Sequence, residues 1–190
     1  DEFYRCMLPI LDRRMETEHR RFKWIISRIP ANSTVIDLGC GYPVWDGELE
    51  AKGIKYTGVD FSQNIIQSLK SIRPYQNWVQ SDIFQYQGAA QVVIGAELIE
   101  HLPCPLSFIL LADSLATEKI IITTPVELHA YCHRHIWSFS REDLLRLGRL
   151  VGETTVEPIK LTEDGSAVFY GLEIRKQELR HFGSTIGANA

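Results

Sequence analysis

The side chains best suited to acid–base or metal chemistry are two acids and two histidines in separate segments. Glu97, Glu100 and His101 have i, i+3, i+4 spacing, which on a helical turn would place them on one face. His135 lies beyond the next apolar run. Two carboxylates and two imidazoles could hold a divalent ion (Mg, Mn or Fe) that binds the oxygens of a substrate and lowers the pKa of a substrate hydroxyl. All four residues are predicted metal ligands; without a metal, His101 or His135 would be the general base.

A second group of residues could bind a nucleoside. The glycines of Gly39-Cys40-Gly41 let the backbone turn sharply after an apolar run and approach a ligand closely. Asp60 ends the next apolar run, where a carboxylate can accept both ribose hydroxyls. Asp82 follows a third run, in reach of an adenine amino group.

Short apolar runs alternate with helical segments, which predicts successive βα units. We expect strands at 34–38, 54–59, 78–80, 90–94 and 119–123, and helices near 44–52, 63–72, 106–115 and 141–151. The link between two late strands, 155–161 and 167–174, is too short for a crossover helix, so they should form an antiparallel hairpin. The result is a doubly wound, mostly parallel α/β sheet that binds ligands at the carboxyl ends of its strands.

Four segments resemble the successive motifs of class I S-adenosylmethionine-dependent methyltransferases: Val35-Ile-Asp37-Leu-Gly39-Cys-Gly41, Gly58-Val-Asp60, Ser81-Asp82 and Ala96-Glu97-Leu-Ile-Glu100-His101. The resemblance covers roughly Ser33 to Ile174 and implies a Rossmann-like, seven-stranded sheet whose last strand is antiparallel. It also implies S-adenosylmethionine as cofactor, bound by these residues: Asp37, Gly39, Cys40 and Gly41 at the methionine part, Asp60 at the ribose, Asp82 and Ile83 at the adenine, and Phe61 and Glu97 beside them.

Two other classes of protein remain open at this point. A nicotinamide dehydrogenase has a similar gap between its glycine turn and its ribose-binding acid, but here Tyr42-Pro43-Val44 replaces the third glycine and hinders the approach of a pyrophosphate. A cofactor-binding module without catalysis is the other class. The dense set of ligand-type side chains argues against it, because a module that does not turn over has no need of them.

The nature of the methyl acceptor is predicted from residues that follow the fourth and fifth expected strands. Glu97, Glu100, His101 and His135 match the Glu-x-x-Glu-His and later His of small-RNA 3′-terminal 2′-O-methyltransferases, and a similar Glu-His-Leu segment occurs in small-molecule O-methyltransferases. A net charge of −4 and the lack of an RNA-binding module disfavour RNA as the acceptor. We therefore expect O-methylation of a hydroxylated small molecule, such as a sugar or a natural-product intermediate, free or carrier-tethered, with an RNA 3′ end as the alternative.

The walls of the acceptor site are predicted from aromatic and histidine residues near the same loop. Tyr131, Trp137 and Phe139 could line it, while His129 and His133 supply further imidazoles. Trp45, after the glycine turn, could line the site as well.

Length and composition set the remaining expectations. The 190 residues predict a helical segment at 1–32, a methyltransferase domain at 33–178 and a tail at 179–190. A basic run from Arg13 to Lys23 is interpreted as a solvated helix face. Four scattered cysteines without a CxxC pair, and no apolar run of about 18 residues, favour a cytoplasmic protein without a membrane span or secretory leader. Nothing in the sequence indicates an oligomeric state.

Overall fold

A computed structural model describes residues 19–43, 47–126, 135–161 and 168–176. The seven strands of its sheet are β1 (Thr34–Leu38), β2 (Lys55–Asp60), β3 (Asn77–Gln80), β4 (Ala90–Ala96), β5 (Ala116–Pro125), β6 (Glu153–Lys160) and β7 (Val168–Arg175). The α-helices are α1 (19–28), α2 (Glu48–Ala51), α3 (Gln63–Ile72), α4 (Pro105–Leu115) and α5 (Arg141–Gly148). Single 3₁₀ turns lie at Ile83–Gln85 and Ile99–His101.

The strands form one sheet in the order β3-β2-β1-β4-β5-β7-β6. The neighbours from β3 to β5 are parallel, and β7 is antiparallel to both β5 and β6. The predicted doubly wound sheet and its antiparallel hairpin are confirmed. Strand order reverses between β1 and β4, so the loops after these two strands flank the crevice where ligands of such sheets bind.

Both faces of the sheet are buried, which explains why the central strands read as continuous apolar runs. Val92, Val93 and Ile94 of β4 are fully buried in succession. Helices α4 and α5 cover one face through residues such as Phe108 and Leu144. Helices α1 and α3 cover the other face, where α1 packs Phe22, Ile25 and Ile26 into the core and Ile29, directly after the helix, is buried with them.

Some element bounds differ from the expected ones. Strand β5 begins at Ala116 rather than Lys119, because Ala116 pairs with Ala90 across a register shift. Between β1 and β2, the described residues are helical over Glu48–Ala51, and Gly47 at the N-cap has a φ of 71°, while residues 44–46 of the expected helix lie outside the described residues. Helix α5 ends at Gly148, three residues before the expected end, and packs closely on β6 there, since a Cβ on Gly148 would lie 2.6 Å from the Thr154 side chain. Among the described helices, none has the length and apolar character needed to cross a membrane.

Candidate active site

The glycine turn after β1 is held by backbone hydrogen bonds. Gly39 and Cys40 donate their N–H groups to the Val59 carbonyl at 2.8 and 3.0 Å. Gly39 and Gly41 have φ angles of 69° and 50°, a region that side-chain-bearing residues seldom occupy. A Cβ on Gly39 would lie 2.8 Å from Leu98, whereas one on Gly41 would meet no atom of the described residues within 4 Å. The turn therefore touches the loop after β4 at Gly39 and leaves open space at Gly41.

The acids at the ends of β2 and β3 both face backbone amides. Asp60 is buried and accepts from Gly41 N–H at 3.0 Å and Ser62 N–H at 2.8 Å, one bond to each carboxyl oxygen. Asp82 is exposed and caps the 3₁₀ turn by accepting from Phe84 N–H at 2.9 Å. Each carboxylate oxygen can accept a further hydrogen bond, so both acids keep capacity for a ligand.

Two apolar residues predicted to lie beside the cofactor differ in exposure. The Phe61 side chain is 78% exposed directly after β2, so it is available to a ligand. Ile83 is buried and packs into the main core.

Asp37 lies inside the sheet rather than at its open edge. The Tyr56 hydroxyl donates to Asp37 Oδ2 at 2.6 Å. Burial raises the pKa of Asp37 to about 7, the Tyr56 hydrogen bond and the Arg21 charge oppose this rise, and the Asp60 charge adds to it. The charge of Asp37 therefore depends on its neighbours near neutral pH.

The segment after β4 does not form the regular helical turn that the spacing of its acids suggested. Glu97 N–H donates to the Thr123 carbonyl at 2.9 Å, which extends the pairing of β4 with β5. Glu97 then takes a φ of 50°, and only Ile99–His101 form a 3₁₀ turn. The expectation of one shared helix face is wrong, because Glu97 precedes the turn in a left-handed conformation.

Three of the four predicted metal ligands lie together. Glu100, His101 and His135 each offer a ligand atom, and these atoms all lie within 4.8 Å of one another. The two imidazole rings meet edge to face, with centroids 4.8 Å apart. Glu97 is not in this group of three, and its carboxylate forms an ion pair with Arg21. The assignment of all four as ligands stays a prediction.

His135 reaches this cluster because its segment binds the backbone of the 3₁₀ turn. The N–H groups of Ile136 and Trp137 both donate to the Glu100 carbonyl, at 2.8 and 3.2 Å. The Trp137 indole N–H donates to the Leu102 carbonyl at 2.8 Å. Three residues later, Ser140 is the N-cap of α5 and forms a capping box with Asp143. The segment is thus tied at both ends.

The aromatic residues predicted to line the acceptor site separate into two environments. Trp137 is 41% exposed and remains available to an acceptor. Phe139 is buried in the core between the sheet and α5, so its proposed place in the wall is wrong. The other residues predicted around the site lie outside the described residues: Trp45, His129, Tyr131 and His133.

Glu100 is the most deeply placed acid of the cluster. Its side chain is fully buried, and within the described part of the chain neither carboxyl oxygen has a well-formed hydrogen bond. Burial raises its pKa to about 7 and the Glu97 charge adds to the rise, while weak contacts with the backbone and with Thr124 and the charge of Arg21 oppose it. A buried carboxylate without partners is costly unless a cation or a proton neutralises it. The position therefore favours either a protonated acid or a ligand to a positive ion.

Sequence reasoning missed one residue that the structure brings to this site. Arg21 of α1 is buried, although the basic run around it was interpreted as a solvated helix face. Its guanidinium pairs with Glu97 and stacks on Phe22 and Phe169, with centroid distances of 4.9 and 5.5 Å. No periodicity in the sequence could identify it, because Arg20 and Lys23 beside it are exposed as expected.

A cavity of about 530 Å³ lies at the amino ends of β1, β2 and β4, and Tyr56 contributes to its lining. Among the described residues the lining contains one carboxylate, Glu50, which accepts a hydrogen bond from the Gln76 amide at 2.9 Å. The described lining includes no histidine, cysteine or aspartate. The cavity therefore lacks the groups that the chemistry at the carboxyl edge would use.

Comparison with known proteins gives a family. The methyltransferase domain family matches residues 10–157 of the chain. A trans-aconitate 2-methyltransferase from Paracidovorax citrulli (strain AAC00-1) is 41% identical over 81 residues, which make up 40% of this chain and 31% of that protein. The matched part of this chain thus spans less than a third of that relative.

Solved structures give the same fold at low identity. Magnesium protoporphyrin IX methyltransferase from Synechocystis PCC 6803, with bound S-adenosylmethionine, aligns with a TM-score of 0.61 at 16% identity, over 93% of this chain and 85% of that one. A chain from the complex of the Haloferax volcanii Trm112 methyltransferase activator with its putative methyltransferase aligns with a TM-score of 0.67 at 15% identity, over 93% and 95%. A TehB-like methyltransferase from Corynebacterium glutamicum ATCC 13032 Kitasato aligns with a TM-score of 0.63 at 18% identity, over 92% and 97%.

The sheet order, the glycine turn and the family match agree on one class of protein, the class I S-adenosylmethionine-dependent methyltransferases. The chain belongs to the methyltransferase domain family.

Proposed function

We propose that this domain transfers a methyl group from S-adenosylmethionine to an oxygen of a hydroxylated small molecule, such as a sugar or natural-product intermediate, free or carrier-tethered. The observation that carries the proposal is the cluster of Glu100, His101 and His135 beside the loops that follow β1 and β4. A cluster of this kind suits an oxygen acceptor, because imidazole and carboxylate groups can remove a hydroxyl proton or hold an ion that binds oxygens.

On this proposal the two halves of the site have separate tasks. Asp37 and the turn at Gly39–Gly41 bind the methionine part of the cofactor. Asp60 binds the ribose, and Asp82 and Ile83 bind the adenine. Phe61 and Glu97 lie beside the cofactor. The open space at Gly41 supports this, because a ligand can approach the backbone there without meeting an atom of the described residues. The bound cofactor supplies an electrophilic methyl group on a sulfonium.

The chain's own residues then handle one proton. As the acceptor oxygen bonds to the methyl carbon, the carbon–sulfur bond breaks, and its electron pair remains on sulfur in S-adenosylhomocysteine. The acceptor's hydroxyl proton passes to His101 or His135, which lie together at the site. Trp137, partly exposed beside His135, offers an apolar wall for the body of the acceptor.

The donor set also fits a divalent ion. Glu100 is fully buried with two unbonded oxygens, and both imidazoles offer a nitrogen within 4.8 Å of it. Glu100, His101 and His135 would hold the ion, and Glu97 would join them by leaving Arg21. Such an ion (Mg²⁺, Mn²⁺ or Fe²⁺) would act as a Lewis acid that lowers the pKa of an acceptor hydroxyl.

The test is turnover with S-adenosylmethionine carrying a ¹³C-labelled methyl group and a panel of hydroxylated small molecules. The reaction is run after chelation and with Mg²⁺, Mn²⁺ or Fe²⁺ restored. NMR of the product identifies the atom that carries the label. We expect a methyl ether, and a loss of turnover of at least ~100-fold in His135→Ala. Glu153→Gln, a change of an exposed acid at the start of β6, is the control and should retain activity.

Other outcomes decide between the remaining functions. Label on nitrogen or carbon would refute O-methylation. Label only on the 3′ end of an RNA oligonucleotide would establish the RNA alternative, and cofactor binding without turnover on any acceptor would favour a non-catalytic module. Turnover unaffected by chelation would leave His101 or His135 as a base without a metal.

We further propose that the methyltransferase domain spans residues 33–178, preceded by the helical segment at 1–32 and followed by a tail at 179–190, and that the protein is cytoplasmic. The scattered cysteines support the last point. Fractionation of cells that produce the protein tests it.

A further inference from the structure

We propose that Arg21 is a positioning residue: it ties α1 to the left-handed turn at Glu97 and thereby holds the loop after β4 in the conformation that binds the cofactor. This inference does not depend on the acceptor, because its test measures cofactor binding, and it concerns the metal-free protein, in which Glu97 pairs with Arg21.

Arg21 is a charged residue in a buried position, so it needs a partner of opposite charge. It lies in the first half of α1, which runs along the face of the sheet, and it is 4% exposed. The aromatic rings of Phe22 on α1 and Phe169 on β7 stack on its guanidinium. A charged group in such a position is stable only when an opposite charge neutralises it, and Glu97 forms that ion pair.

Glu97 adopts a left-handed backbone conformation. Its φ of 50° is unfavourable for a residue with a side chain, so the surrounding contacts must maintain it. The backbone is fixed on one side by the bond from Glu97 N–H to the Thr123 carbonyl. The ion pair with Arg21 fixes the side chain on the other side. Together these contacts select the turn.

The turn at Glu97 is coupled to the glycine turn after β1. Leu98, the next residue, packs against the glycine turn, since a Cβ on Gly39 would lie 2.8 Å from its side chain. The positive charge of Arg21 also opposes the rise in the pKa of Asp37 that burial causes. A shift of the Glu97 turn would therefore disturb the glycine turn and the charge of Asp37 together.

Calorimetric titration with S-adenosylhomocysteine tests the inference. Arg21→Met should weaken binding by about 10- to 100-fold, the range typical of residues that orient a binding group. Arg21→Lys keeps the charge but loses the planar fork, so it should recover part of the affinity. Hydrogen exchange at residues 97–102 should accelerate in Arg21→Met.

Arg28 on the same helix provides a matched control. It stacks on Trp24 at 3.7 Å and pairs with Glu157 and Glu173, far along α1 from the glycine turn. Arg28→Met removes an equivalent set of contacts and should lower the unfolding midpoint, yet keep the affinity for S-adenosylhomocysteine within about twofold of wild type.

A second background keeps the inference falsifiable if Arg21→Met folds poorly. Glu97→Gln removes the negative charge at a position that is a third exposed and leaves an amide oxygen that can accept from Arg21, so this variant is expected to fold with lower stability than wild type. In the Glu97→Gln background, Arg21→Lys should weaken binding by no more than about twofold, less than it does in wild type, because the pair is already broken. Equal effects in both backgrounds would overturn the inference. So would wild-type affinity in a folded Arg21→Met protein, or the same loss of affinity in Arg28→Met.

Discussion

At the scale of single residues, Glu100 combines full burial with two unbonded carboxyl oxygens. Its pKa is raised from 4.5 to about 7, so the folded state holds the proton more tightly than the unfolded state does. The protonation of Glu100 therefore contributes to the free energy of unfolding, and this contribution is complete below about pH 4.5 and is lost as the pH rises through about 7. Above about pH 7 the acid is ionised in both states, and the loss stays constant.

This linkage predicts the behaviour of Glu100→Gln in urea unfolding after chelation. Between about pH 5 and about pH 8, wild type should lose stability, and the Gln variant should lose ~3 kcal/mol less, the equivalent of the raised pKa. Part of the loss should remain, because Asp37 has a pKa raised to about 7 as well. Glu153→Gln should follow wild type. An unchanged loss in Glu100→Gln would mean that the buried acid does not titrate as described.

Tyr56 controls the neighbouring acid of the site. Its hydroxyl donates to Asp37 at 2.6 Å and opposes the rise in the pKa of Asp37. Tyr56→Phe should therefore raise that pKa further, so that Asp37 becomes charged only at higher pH. If Asp37 binds the methionine part of the cofactor, the pH midpoint of S-adenosylhomocysteine binding should move upward, while stability falls by about 1–3 kcal/mol. Calorimetry across pH measures the midpoint, and the fully exposed Tyr75 offers a control in Tyr75→Phe. A midpoint equal to that of wild type would separate Asp37 from the cofactor.

At the scale of elements, the turn between β1 and α2 contains two glycines with different surroundings. Both have positive φ, so alanine is strained at either position by roughly 1–2 kcal/mol. Only at Gly39 would the new Cβ also press on Leu98.

We therefore expect Gly39→Ala to unfold more easily than Gly41→Ala, with both variants binding S-adenosylhomocysteine more weakly. The loss of affinity in Gly41→Ala is the informative result, since its Cβ meets no described atom within 4 Å and would extend into the space proposed for the ligand. Thermal unfolding and calorimetry of the two variants are the measurements. Normal affinity in Gly41→Ala would place the cofactor away from this turn.

Most of the elements were predictable because parallel strands are buried on both faces and appear as short apolar runs. The meeting of His135 with Glu100 also followed from the sequence, since β4 and β5 are consecutive strands and their loops share one edge. The start of β5 was not predictable, because Thr117 and Glu118 are exposed and polar, and pairing with β4 determines their conformation.

Two features of the site depend on tertiary contacts that no local pattern records. Glu97 adopts a left-handed conformation that is rare for glutamate, and its contacts come from β5 and α1. Arg21 belongs to a charged run of the kind that usually faces water, and only the packing of α1 on the sheet shows that it is buried.

At the scale of the whole molecule, α1 supplies much of one layer of the fold. Ile25 is fully buried against the same core cluster as Val92 and Ile94, so removing its side chain should leave a cavity between helix and sheet. Ile25→Ala should cost about 2–5 kcal/mol, against about 0.5 kcal/mol or less for Lys23→Ala on the exposed side of the helix.

Ile25 lies one helical turn after Arg21, so this variant also separates packing of the layer from positioning of the site. If α1 acts on the site through the Arg21–Glu97 pair, folded Ile25→Ala protein should bind S-adenosylhomocysteine more tightly than Arg21→Met does, even when it is the less stable of the two. Urea unfolding and calorimetry on the same preparations make the comparison. If the affinity for S-adenosylhomocysteine fell in proportion to stability in Arg21→Met, Ile25→Ala and Lys23→Ala, α1 would contribute only packing. If Ile25→Ala were as stable as Lys23→Ala, α1 would not be part of the core.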